Sequence, residues 1–121
     1  MAKKVLIVDD SLYMRTVIKD ALVTAGFDVV GQAANGETAI DMAIELQPDL
    51  ITLDNILPDM LGLDILNVLK SEEIDSKIIM ISAVGQESVV EEGLKRGASK
   101  YIVKPFTSEQ LIATVNEVVA G

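Results

Sequence analysis

Five side chains in this sequence could do chemistry together: the adjacent pair Asp9-Asp10, then Asp54, Ser82 and Lys104. Each stands at the end of a short apolar run. Val5-Leu6-Ile7-Val8 precedes the pair, Leu50-Ile51-Thr52-Leu53 precedes Asp54, Ile78 to Ile81 precedes Ser82, and Tyr101-Ile102-Val103 precedes Lys104-Pro105. Carboxylates brought together repel, and a hard divalent cation with oxygen ligands relieves the repulsion. Magnesium suits this set: one or two carboxylates suffice, it keeps several waters, and it bridges to phosphate, whereas calcium wants more protein oxygens. A carboxylate is also a nucleophile toward phosphorus and gives an acyl phosphate. The metal, a lysine and a hydroxyl can then share the phosphoryl oxygens. The set reads as a phosphoryl acceptor. The sequence has no glycine loop of the kind that cradles nucleotide phosphates, so ATP is not the expected donor.

Taken singly, each residue has a plainer reading. Asp9 or Asp10 could cap the following helix, Asp54 could open a turn, Ser82 could be a core hydroxyl and Lys104 a solvated charge. All of these would have to coincide at one edge of the molecule, which favours the joint reading.

The elements that must position these groups follow from two alternating patterns. Asp28 to Ala33 reads as a second strand beside the four apolar runs, which are short enough to be strands buried on both faces. Between them, Met14, Val17, Ile18, Ala21, Leu22 and Ala25 recur at helical spacing and Gly26 marks a stop. Asn35 caps a helix carrying Ala39, Ile40, Ala43 and Ile44, which Pro48 ends. Leu63 to Lys70 is a short helix after a loop with Pro58 and Gly62. Gln86 to Arg96 is a weaker one, with Gly93 inside it and Gly97 after it. Thr107-Ser108-Glu109-Gln110 has capping-box spacing ahead of Leu111, Ile112, Val115 and Val118. Strict alternation of strands and helices calls for a parallel sheet with helices on both faces, whose site lies beyond the carboxyl ends of the strands.

Composition removes other chemistries. The 121 residues fit one domain, and the absence of cysteine and histidine excludes disulfides, thiolate or imidazole metal sites and serine–histidine catalysis. Ten basic against nineteen acidic residues give a formal charge of −9, which repels nucleic acid and anionic membranes. No apolar run approaches the roughly 18 residues of a membrane span, so the expected compartment is the cytoplasm.

The sequence resembles, over essentially its whole length, the receiver domain of two-component response regulators, and most of all the single-domain CheY-like chemotaxis regulators. Val8-Asp9-Asp10-Ser11 with Met14-Arg15, Thr52-Leu53-Asp54, Pro58 and Gly62, Ile81-Ser82-Ala83 and Val103-Lys104-Pro105-Phe106 carry the resemblance. It implies an α/β, doubly wound, flavodoxin-like sheet of five parallel strands in the order 2-1-3-4-5, with five helices on two faces. Asp54 would be phosphorylated by a CheA-like histidine kinase. Mg²⁺ would be held by Asp10 directly, by Asp9 through water, by Asp54 and by the backbone carbonyl of Ile56. Ser82 and Lys104 would bind phosphoryl oxygens, Lys104-Pro105 would be cis, and Tyr101 would be the switch aromatic that moves inward as Ser82 shifts.

The resemblance further implies a target, such as a flagellar motor switch protein, on the surface of the fourth helix, fifth strand and fifth helix. Glu87, Glu91, Lys95, Tyr101 and Glu109 lie on that surface. The alternative is a relay that passes its phosphoryl group to a histidine phosphotransfer protein. A monomeric single receiver over residues 1–121 is expected, with no appended output domain and no turnover beyond its own phosphorylation and dephosphorylation. Ile56 stands where many relatives have a polar side chain, and Leu57, Leu61 and Asn55 also depart from the pattern. An apolar Ile56 cannot orient an attacking water, so slow self-hydrolysis and dependence on a phosphatase or back-transfer are expected. A haloacid dehalogenase-type phosphatase fits less well, because its nucleophile sits in Asp-x-Asp, and a flavin carrier would set Asp9-Asp10 against the flavin phosphate.

Overall fold

Each apolar run becomes a strand because its side chains alternate between two helix layers, and both layers exclude water. The computed structural model describes residues 2–120. In chain order the elements are β1 (Lys4–Val8), α1 (Leu12–Thr24), β2 (Asp28–Ala33), α2 (Gly36–Leu46), β3 (Leu50–Asp54), α3 (Gly62–Ser71), β4 (Lys77–Ala83), α4 (Glu87–Lys95), β5 (Lys100–Lys104) and α5 (Ser108–Ala120). All strand pairs are parallel, in the order β2-β1-β3-β4-β5. Alternation of strands and helices thus gives the doubly wound sheet it calls for.

The two faces are read off by counting in twos. Leu6, Val8, Ile51, Leu53, Ile78 and Met80 pack with Ala39 and Ala43 of α2 and with Ile65, Leu66 and Leu69 of α3. Val5, Ile7, Leu50, Ile79, Ile81 and Ile102 pack with Ile18 and Leu22 of α1 and with Leu111, Val115 and Val118 of α5. Cover is uneven. Only Val90 and Gly93 of α4 are buried, and Tyr101 and Val103, on the β5 face that α4 approaches, remain exposed.

Local chemistry sets the helix ends. Asn35 accepts from Thr38 N at 2.8 Å. Thr107 and Gln110 close a reciprocal capping box at 2.8 and 3.1 Å. Ser11, not Asp9 or Asp10, caps α1 by accepting from Met14 N at 3.2 Å. Gly26 and Gly97, at φ +93° and +112°, follow the ends of α1 and α4 in the left-handed region where glycine costs least.

Some boundaries and burials differ from the sequence expectation. The third helix begins a residue earlier, at Gly62, and β4 runs on to Ala83. Ile44 is exposed because Ala39 and Ala43 take the inward stripe of α2. Gly93, a weak point by helix propensity, sits against Met80: a Cβ there would lie 2.3 Å from Met80 Sδ, so the methionine would have to shift. No helix among the described residues is long and apolar enough to cross a membrane.

One long-range cap ties the loop after β3 to α2. Asp59 Oδ1 accepts from Gly36 N at 2.7 Å and Oδ2 from Glu37 N at 3.0 Å, the first two amides of that helix. Those bonds hold the Asp59 carboxyl below its ordinary 3.8. A depressed carboxyl contributes stability above its unfolded value and loses it as pH falls through the folded one. Asp59→Ala should therefore melt lower than wild type at pH 7, and the gap should close as pH falls below the usual carboxylate range. A gap independent of pH in thermal melts would contradict this role.

Candidate functional site

Asp9 follows β1, Asp54 ends β3 and Lys104 ends β5, and the three side chains meet at the carboxyl edge of the sheet. Counting by twos from Ile7, Leu50 and Ile102 places all three on the α1/α5 face. Lys104 Nζ lies 3.3 Å from Asp9 Oδ2 and 3.3 Å from Asp54 Oδ1, so one ammonium bridges two carboxylates. Asp10 completes the group: Asp9, Asp10 and Asp54 each offer an oxygen, all within 4.8 Å of one another.

Backbone contacts fix these side chains. Asp9 N donates to Ala33 O of β2 at 3.0 Å, and Asp9 Oδ1 accepts from Ser11 N at 2.9 Å. Arg15 Nη1 donates to Asp9 O at 2.7 Å, so the first turn of α1 grips the acidic loop from behind. Beyond Asp54 the chain doubles back: Leu57 N donates to Met60 O at 3.1 Å, Ile56 and Leu61 form an antiparallel bridge, and Gly62 N donates to Asn55 O at 2.6 Å. Leu57 anchors this hairpin in the α2/α3 core, while the Ile56 side chain is 55% exposed.

Asp54 is only 8% exposed. Burial raises its pKa and the Asp9 carboxylate adds to the rise, with Lys104 pulling the other way and falling short. Burial works to lower Lys104, but the Asp54 and Asp9 carboxylates outweigh it and hold the ammonium charged. Three carboxylates against one ammonium leave an excess of negative charge in a half-buried place, which is the environment a divalent cation satisfies.

Ser82 makes no hydrogen bond to this group. Two residues beyond Met80, it follows the opposite face, and its hydroxyl, in a residue 2% exposed, has no hydrogen-bond partner. It lines a groove of about 340 Å³ between α4 and β5, together with Gln86, Val90, Leu94, Tyr101 and Val103. Tyr101 stands at that groove 46% exposed. The structure thus assembles Asp9, Asp10, Asp54 and Lys104 and leaves Ser82 and Tyr101 on the α4 side. The Lys104-Pro105 bond is cis. Asp59 and Gln86 were missed by sequence reasoning, because no periodicity pairs them with their partners, the first amides of α2 and the last amide of β4.

Comparison with known proteins points one way. A family model described as response regulator receiver domain matches residues 5–116. The chain is 42% identical over 118 residues to a chemotaxis protein CheY of Thermotoga maritima, covering 98% of each chain. It is 43% identical over 117 residues to a chemotaxis protein CheY of Bacillus subtilis, covering 97% of this chain and 98% of the relative. Among solved structures it is similar to a CheX-CheY-BeF3-Mg complex from Borrelia burgdorferi. The TM-score there is 0.90 at 32% identity, covering 97% of this chain and 89% of the other.

Gly62 sets how closely α3 approaches the end of β3. A Cβ at this position would lie 2.8 Å from Asp54 O and 3.0 Å from Asn55 Cα, backbone atoms that cannot swing aside. Gly62→Ala should therefore displace the Asp54 backbone and cost about 1–3 kcal/mol of stability. Chemical denaturation measures the loss, and an unchanged midpoint would show that the loop absorbs the methyl group.

Proposed function

The chain belongs to the response regulator receiver domain family and is CheY-like, and from that premise we propose that it takes a phosphoryl group from a histidine kinase onto Asp54 to switch a partner-binding face. The observation that carries this reading is the Lys104 ammonium bridging the Asp9 and Asp54 carboxylates, in a cluster that Asp10 completes.

Asp54 attacks phosphorus, the phosphorus–nitrogen bond of the donor phosphohistidine breaks, and the electron pair leaves with the imidazole. Asp9, Asp10, Asp54 and the backbone carbonyl of Ile56 would hold Mg²⁺, which supplies charge neutralisation to the phosphoryl oxygens when bound. The Borrelia CheY crystallised with beryllofluoride and magnesium supports that assignment. Lys104 binds a phosphoryl oxygen in place of an Asp54 oxygen. Lys104 is already charged and already positioned, so little reorganisation is needed.

Phosphorylation adds about −1.5 to −2 charges and strong acceptor oxygens at the sheet edge. Ser82, buried without a partner, gains one by turning toward them. Tyr101 can then fill the space that Ser82 leaves in the α4–β5 groove, and the α4–β5–α5 face changes shape. A target such as a flagellar motor switch protein, or a phosphatase in the manner of the CheX complex, reads the difference. Ile56 presents an exposed sec-butyl group, which cannot orient water, and so slows loss of the phosphoryl group.

Acetyl phosphate with Mg²⁺, followed by peptide mass spectrometry, tests the assignment. The label should fall on Asp54, vanish in Asp54→Asn, and decay several-fold faster in Ile56→Asn. A label elsewhere, or an Asp54→Asn protein that labels normally, would overturn it.

A further inference from the structure

We propose that Gln86 is a positioning residue for phosphoryl capture: its side-chain carbonyl holds the Ala83 N–H in the resting protein and must release it when Asp54 is phosphorylated. The proposal rests on the phosphoryl-acceptor reading above and adds a residue to it.

The β3–β4 ladder locates the donor. Asn55 N donates to Ile81 O at 3.1 Å. In an evenly spaced parallel ladder the next bond would join Ala83 N to Asn55 O. That bond is replaced: Asn55 O accepts from Gly62 N at 2.6 Å, and Ala83 N donates to Gln86 Oε1 at 2.9 Å. The Ala83 N–H therefore lies on the β3 side of β4, just past the position of Asp54, held by a neutral side chain. Immediately before it, the Ser82 hydroxyl has no partner. Two successive donors at the end of β4 are thus available to an anion, one unpaired and one exchangeable.

Gln86 occupies the position before α4, where its backbone carbonyl accepts from Val89 N and Val90 N, yet its side chain makes no capping bond to its own helix. Its side chain reaches back across Gly85, at φ +93°, and fastens the start of α4 to the end of β4. An anionic oxygen accepts a hydrogen bond roughly twice as strongly as a neutral carbonyl. As the phosphoryl group draws the Ser82 hydroxyl toward it, the adjacent Ala83 N–H exchanges Gln86 for a phosphoryl oxygen. Release of Gln86 removes a tether on a helix that buries only Val90 and Gly93. The same bond that raises the threshold for phosphoryl binding thereby couples binding to movement of α4.

Amide hydrogen exchange at Ala83, combined with titration of beryllofluoride in the presence of Mg²⁺, tests this on the full chain. Gln86→Leu removes the acceptor: Ala83 should exchange faster in the free protein, and the mimic should bind about three- to tenfold tighter. Gln86→Glu keeps an acceptor, so Ala83 should stay protected and the mimic should bind more weakly than to wild type. Gln86→Ala serves as a second acceptor-free variant if leucine perturbs the turn. Acceptor-free variants with unchanged Ala83 exchange and unchanged affinity overturn the role of Gln86. Wild-type protein that takes up no beryllofluoride overturns the phosphoryl-acceptor reading itself, and this proposal with it.

Discussion

Mutual repulsion of carboxylates at one sheet edge is the constraint that the rest of the structure serves. Asp9 and Asp54 are buried within reach of each other, with Asp10 beside them, and Lys104 offsets part of their charge. Such an arrangement is unfavourable in a free chain, so packing elsewhere must hold it. The two helix layers provide that support. β1, β3 and β4 bury nearly every side chain, and Arg15 and Ser11 clamp the acidic loop through its backbone. The excess negative charge is the environment that a divalent cation would satisfy.

Packing is distributed to match this task. On the α1/α5 side, Ile7, Leu50, Ile79, Ile81, Ile102 and the helices above them form a dense layer beneath Asp54 and Lys104. The α4 side is thin: Ser82 lacks a partner, Tyr101 and Val103 are exposed, and a groove separates them from α4. A rigid base and a loosely covered flank are what a two-state element needs, because few contacts oppose rearrangement there. Gly93 brings α4 close to Met80, which keeps this flank attached to the sheet.

Much of this is legible in the sequence because the signals are local. Apolar runs of four residues mark strands buried on both faces, and the polar residues that end them mark the site. Asn35 and the Thr107-to-Gln110 box announce two helix starts. Four features are not legible, for physical reasons. Asp59 caps α2 from a loop 23 residues away, a contact that no local pattern encodes. Gly93 reads as a helix defect until the proximity of Met80 is known. Ser82 reads as one of a converging set, and its unpartnered hydroxyl beside the α4–β5 groove is visible only in the structure. Gln86 looks like an ordinary exposed position, and only the interrupted ladder at Ala83 reveals it.

Titration with Mg²⁺ followed by thermal melting tests the central claim most directly. A ligand that binds the folded state alone raises the melting temperature as its concentration passes the dissociation constant. The account predicts such a rise for the wild-type chain and its loss in the double variant Asp9→Asn, Asp10→Asn. A wild-type melting temperature indifferent to Mg²⁺ would contradict the account, and so would an equal rise in the variant.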